Sequence, residues 1–200
     1  MKATLEAINQ MQADGVICHY AIGGAVGATF YLEPAATYDL DIFVILPAAD
    51  ASPLVSLAPI YEHLTAHGGV AQHEHILIGG WPVRFLVPNN DLEREAIAGS
   101  LPTTVDGVGT WVIMEEHLVA IALQTGRMKD YLRILQFIEQ RAVDMAVLQA
   151  IIERHGLASK WKQFESRFLE GTHGYVKDEG DASGAQLYRK DQDFGKIARP

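Results

Sequence analysis

Asp39-Leu40-Asp41 places two carboxylates one residue apart at the start of a strand-like run that continues through Ile42-Phe43-Val44-Ile45-Leu46. In a strand, residues i and i+2 project to the same face, so Asp39 and Asp41 point together. Two carboxylates on one face repel each other, and burial worsens the repulsion. A divalent cation relieves it, and Mg2+ favours oxygen ligands. Upstream, the short apolar run Ile17 to Ile22 ends in Gly23-Gly24. A helix-like segment, Ala25 to Leu32, follows, and Pro34 breaks it before the aspartates. This order sets the two carboxylates beside the glycine turn that ends the previous strand.

Two phosphate-binding arrangements have this outline. In a dinucleotide fold, a glycine-rich turn between strand and helix is followed by an acid about 20 residues on. The glycine spacing fits that pattern poorly, because Ile22 stands where G-x-G-x-x-G needs its first glycine. The acid in that fold ends its strand, whereas Asp39 and Asp41 begin theirs. In the other arrangement, Gly-Gly shapes a phosphate loop and D-x-D holds a metal. On Gly23-Gly24 and Asp39-x-Asp41 the chain resembles the nucleotidyltransferase superfamily that includes DNA polymerase β. More narrowly, it is similar to the branch of AbiEii-type toxins and their bacterial relatives.

That resemblance implies transfer of a nucleotidyl group from a nucleoside triphosphate to an acceptor that the sequence does not name (RNA, protein or small molecule). Asp39 and Asp41 would be the catalytic, Mg2+-holding residues, and Gly23 and Gly24 would lie at the nucleotide. It also implies a place in a toxin–antitoxin system and a partner protein. In such relatives a helix after the catalytic domain leads into an Arg/Lys-Asp motif facing the nucleotide. Arg127, Lys129 and Asp130 match that motif here. A cation there would offset charge developing on phosphate. The lysine that the family tends to carry on the preceding helix has no counterpart between Met114 and Gly126.

One departure bears directly on activity. Active relatives carry a third acid on a later strand, where it helps hold a second metal. The matching strand is Pro82 to Val87, which has no acid, and Arg84 stands at the third-acid position. If Gly79-Gly80 is a two-residue turn, Arg84 lies opposite His75, with His73 on the same face. Arg84 would then pair with the aspartates in place of a metal, or bind substrate phosphate. Two readings stay open: an active Mg2+-dependent transferase, or a binding or regulatory module that keeps the fold and has lost the chemistry. His73-Glu74-His75 supplies only part of a zinc site, with no third ligand evident.

The elements that must position these residues follow from periodicity. Leu5, Ile8 and Met11 mark an amphipathic helix over residues 2–13. Pro53 to Ala66 reads as a helix, after a loop over Ala48 to Ser52. Val70 to Ile78 and Trp81 to Val87 read as one hairpin about Gly79-Gly80. A short helix over Leu92 to Ala98 has Asp91 as its expected cap, and short strands flank Asp106-Gly107. From Glu115 to Leu169 nearly everything reads as helix, with breaks near Thr125-Gly126 and His155-Gly156 and with Met128, Met145 and Trp161 as core filler.

The expected class is therefore α+β: a mixed sheet with flanking helices over residues 1–113, a helical segment packed on it over 114–170, and a tail over 171–200. The hydrophobic fraction of 48% and charged fraction of 20% are those of an ordinary globular protein. The net charge of −9 argues against broad nucleic-acid binding, which needs a basic surface. No apolar run reaches the ~20 residues needed to span a membrane. The N-terminus is not that of a secretory signal. The single cysteine, Cys18, is expected in a buried strand and cannot form an internal disulfide, which fits the cytoplasm.

Overall fold

A computed structural model describes residues 1–33, 37–47 and 56–169. Among these, seven strands form one mixed sheet: β1 (His19–Ile22), β2 (Leu40–Ile45), β3 (Val70–Gln72), β4 (His75–Ile78), β5 (Trp81–Leu86), β6 (Leu101–Val105) and β7 (Val108–Val112). The spatial order is β3-β4-β5-β2-β1-β7-β6. β2 runs parallel to β5, and β1 runs parallel to β7, while the other pairs are antiparallel. The helices are α1 (Lys2–Ala13), α2 (Gly24–Ala28), α3 (Ala58–Ala66), α4 (Asp91–Ala98), α5 (Glu115–Thr125), α6 (Met128–Glu139), α7 (Met145–Arg154) and α8 (Ala158–Phe164). A π-helical turn, Glu165–Leu169, closes the described chain. This is the expected α+β class with C-terminal helices. No helix among the described residues is long and apolar enough to cross a membrane.

Strand parity divides the core in two. Leu40, Ile42 and Val44 of β2 and Val83 and Phe85 of β5 pack with Leu5, Ile8 and Met11 of α1 and with Ile60 and Leu64 of α3. Burying each such side chain contributes roughly 1.5–3 kcal/mol. On the other face, Ala21 and Phe43 pack with residues of α4 to α8, including Leu118, Phe137, Leu148 and Trp161. α5 is the axis of that layer, with six consecutive buried residues from Glu115 to Ala120. One core cluster thus contains residues from both sides of Ile113.

Several elements depart from the sequence reading. The expected strand Val70 to Ile78 is interrupted: His73, at φ 53°, and Glu74 form a second two-residue turn, closed by the pair Gln72 and His75. His73 and His75 therefore do not share a strand face, which removes the partial zinc pair. Cys18 is exposed, because β1 begins one residue later and Cys18 lies at the sheet's end. α2 stops at Ala28, and Thr29 to Leu32 continue as turns. A third break, Gln140 to Asp144, separates α6 from α7. Trp161 is buried, but Met128 and Met145 are exposed, and so are Leu132 and Val147 on the same two helices. Pro34, the loop Ala48 to Ser52, the expected helix start at Pro53 and the tail beyond Leu169 lie outside the described residues.

Candidate functional site

Parity also fixes which way the aspartates face. With Leu40 and Ile42 turned toward α1 and α3, Asp39 and Asp41 project with Phe43 toward the helical layer. On β5 the same alternation sends Val83 and Phe85 one way and Arg84 the other. The parallel register then sets Asp41 directly beside Arg84. The Arg84 guanidinium donates from Nε and Nη2 to Asp41 Oδ1, at 2.9 and 2.7 Å, and its Nη2 lies 4.0 Å from Asp39 Oδ2. The Gly79-Gly80 turn, with both φ values positive, pairs Ile78 with Trp81 and Ile76 with Val83. Continuing that register outward sets His75 beside Arg84, and His75 Nε2 lies 3.5 Å from Asp39 Oδ2. Asp39, Asp41, Arg84 and His75 are thus one cluster. Burial works against the Arg84 charge, but Asp41, Asp39 and Glu74 outweigh it and raise the guanidinium above its ordinary value.

The glycine pair lies against this cluster. Gly23 N–H donates to the Asp41 carbonyl at 2.9 Å. Gly24 has φ +58°, and a Cβ on it would stand 2.1 Å from Asp41 Oδ2. The carboxylate thus occupies space that a side chain would fill, and the left-handed backbone suits glycine.

The second stretch reaches the same place. A cavity of about 550 Å³ is lined by Gly24, Asp39, Asp41 and Arg84 from the sheet side and by Arg127, Lys129 and Asp130 from the start of α6. Leu118, Ile121 and Ala122 of α5 line it between them. Gly23 is absent from the lining; its part is the hydrogen bond to the Asp41 carbonyl and close packing against the Phe43 ring. Asp130 is buried, not solvated: its Oδ2 accepts from Arg127 Nε at 2.7 Å, and Arg133 Nη1 lies 3.8 Å from its Oδ1.

Among the lining residues that the sequence reading did not single out are Tyr38, Asn89, Glu93 and Arg133. Arg133 was reachable, since it follows Asp130 at the i+3 helical spacing. Glu93 comes with the α4 cap. The cap residue is Asn90, not Asp91: Asn90 Oδ1 accepts from Glu93 N–H at 2.9 Å, and Glu93 Oε2 accepts from Asn89 N–H at 2.8 Å.

Whether the cluster suits a metal can be judged from its donors. Oδ1 of Asp41 already accepts two N–H groups, and the third-acid position holds a cation that cannot act as a ligand. Among the described residues, no group of three or more His, Cys, Asp or Glu is arranged to hold a metal ion. The residues present do not fit a two-metal centre.

Comparison with known proteins adds a likeness of shape. No family model matches the chain, and no curated protein matches it. Among solved structures, it is similar to an antigenic nucleotidyltransferase-like protein from Paracoccidioides brasiliensis, with 14% identity and a TM-score of 0.47, covering 80% of this chain and 90% of that one. It is also similar to the antibiotic-resistance factor ANT(2'')-Ia, with 13% identity and a TM-score of 0.48, covering 87% of this chain and 97% of that one. At this identity and with TM-scores below 0.5, the likeness does not decide function, which rests on the site's own geometry.

Proposed function

We propose that this protein is a nucleotide-binding module on a nucleotidyltransferase-like scaffold whose metal-dependent transfer chemistry has been lost. The observation that carries the reading is the Arg84–Asp41 pair, at 2.7 and 2.9 Å, within a cavity of about 550 Å³. That volume is in the range of small-molecule sites, roughly 300–1,000 Å³. Arg84 offsets one of the two aspartate charges where a metal cation would otherwise do so. A charge-assisted bond of this type contributes about 1.5–3 kcal/mol. A metal that had to displace it would bind roughly ten- to a hundredfold more weakly. Lys129, exposed at the cavity's α6 wall, supplies positive charge for a triphosphate, and the exposed Arg127 beside it is shared with Asp130.

Calorimetry and an incorporation assay test this together. Wild type should bind a nucleoside triphosphate in the presence of EDTA, bind Mg2+ weakly and incorporate no labelled nucleotide. Arg84→Asp should restore the third acid and tighten Mg2+ binding at least about tenfold. Tight Mg2+ binding by wild type, with incorporation abolished by Asp39→Asn together with Asp41→Asn, would instead establish the Mg2+-dependent transferase. Absence of triphosphate binding with or without Mg2+ would end both readings.

A further inference from the structure

We infer that Tyr38 is the stacking platform for the nucleobase of the ligand, which makes the cavity a site for a base-bearing nucleotide, purine before pyrimidine. The inference rests on the reading of the cavity as a nucleotide site and adds which part of the ligand is recognised, and how.

Tyr38 is 89% exposed, whereas the other exposed large apolar residues among those described, Val70, Leu132, Met128, Met145 and Val147, lie between 41% and 54%. It also lines the cavity, immediately before the first aspartate of the charged cluster. Regular strand alternation would send residue 38 to the face of Leu40, opposite Asp39 and Asp41, and bury it in the core with α1 and α3. The chain instead bends at Tyr38, before β2 starts, and the Thr37 hydroxyl donates to the Asp39 carbonyl at 3.4 Å across that bend. Tyr38 therefore lies in water at the cavity's edge and out of the core. An aromatic ring left there has a large apolar area still to bury.

The rest of the lining offers two kinds of surface: a charged one, where Arg84, Arg127, Lys129 and Arg133 stand among Asp39, Asp41, Glu93 and Asp130, and an apolar one of Leu86, Val87 and Ile121. A bare polyphosphate would use only the first kind. A ligand with an anionic chain and a flat, largely apolar ring uses both, and a nucleotide has that form. Stacking reads the area of the π-face and not the pattern of donors and acceptors, so it tolerates different bases and favours the larger purines.

The test separates the two halves of the ligand. Binding of ATP, UTP and inorganic tripolyphosphate is measured by calorimetry for wild type, Tyr38→Ala and Tyr38→Phe, after thermal melts verify that the variants fold. Tyr38→Ala should weaken ATP binding roughly ten- to a hundredfold, leave tripolyphosphate binding unchanged and erase the preference for ATP over UTP. Tyr38→Phe should bind ATP like wild type, because the ring does the work. The inference is overturned if Tyr38→Ala binds ATP like wild type, if it loses ATP and tripolyphosphate equally, or if Tyr38→Phe is as impaired as Tyr38→Ala. Each of those results leaves the nucleotide-site reading standing. Failure of wild type to bind either ATP or tripolyphosphate overturns that reading, and the platform with it.

Discussion

Removing the Glu95 carboxylate should loosen the helical layer behind the cavity and change how the protein responds to acid. Glu95 lies on α4, whose first turn lines the cavity through Glu93. Its Oε1 is 3.3 Å from His117 Nε2 of α5 and accepts from Arg154 Nη1 of α7 at 2.6 Å. Its Oε2 is 2.8 Å from Nε2 of His155, the residue that caps the end of α7. His117 is buried and His155 nearly so, while Arg154 is exposed. Hydrogen bonds to a charged group contribute about 1.5–3 kcal/mol each, and an exposed ion pair only about 0–1 kcal/mol. Glu95 itself is 30% exposed, which screens all three. Glu95→Ala should therefore cost about 3 kcal/mol. For a chain of this size that lowers the melting temperature by about 6–12 °C.

The pH profile gives a second readout. Burial lowers His117 below its ordinary value of 6.5, and Glu95 only partly offsets this. The folded chain therefore resists a proton that the unfolded chain accepts, so stability is full above about pH 6.5 and falls as pH drops toward the lowered folded value. Burial pushes Glu95 up, but its bonds from His155 and His117, together with Arg154, bring it below its ordinary value of 4.5. Its contribution is present above pH 4.5 and is lost as pH falls through the folded value. In Glu95→Ala the upper stage should steepen, since nothing then offsets His117 desolvation, and the lower stage should vanish. Calorimetric melts from pH 8 down to about pH 3 measure both. A melting temperature within about 2 °C of wild type and a superimposable pH profile would show that the cluster holds nothing together.

Two further substitutions probe the local geometry. Gly24→Ala forces a left-handed backbone onto alanine and drives its Cβ into the Asp41 carboxylate, which cannot retreat without leaving Arg84. It should cost more than about 2 kcal/mol and weaken triphosphate binding; a variant as stable as wild type would mean that the turn is not as close as described. Asn90→Ala should cost about 1 kcal/mol as a lost helix cap, read by chemical denaturation. Asp91→Ala should cost less, since the Asp91 side chain is 92% exposed, and the reverse ranking would restore Asp91 as the cap.

The sequence determined on its own whatever depends on local period and turn chemistry. Asp39 and Asp41 share a face because they are two residues apart in a strand, and Gly79-Gly80 folds back tightly enough to set Arg84 beside His75. The early acids and the later Arg127–Asp130 stretch could be singled out, and the α+β order could be read, because each lies within one element or one turn. The interruption at His73-Glu74 stayed hidden because neither residue is a habitual turn former, and the cost of φ 53° at His73 is met by pairing on both sides.

Only the tertiary structure decided the rest. The parallel pairing of β2 with β5 joins residues 43 apart in sequence, and that register puts Arg84 on Asp41. Side-chain type did not reveal that Met128, Leu132, Met145 and Val147 face water, because the apolar stripe of a helix marks which face could be buried, not whether a neighbour arrives to bury it. Tyr38 is the sharpest case: alternation alone assigns it to the core face, and the bend before β2 delivers it to the cavity instead. Local rules act over a few residues, whereas a site is made where distant elements meet, and that meeting is settled by how the whole sheet and its helices close around their shared core.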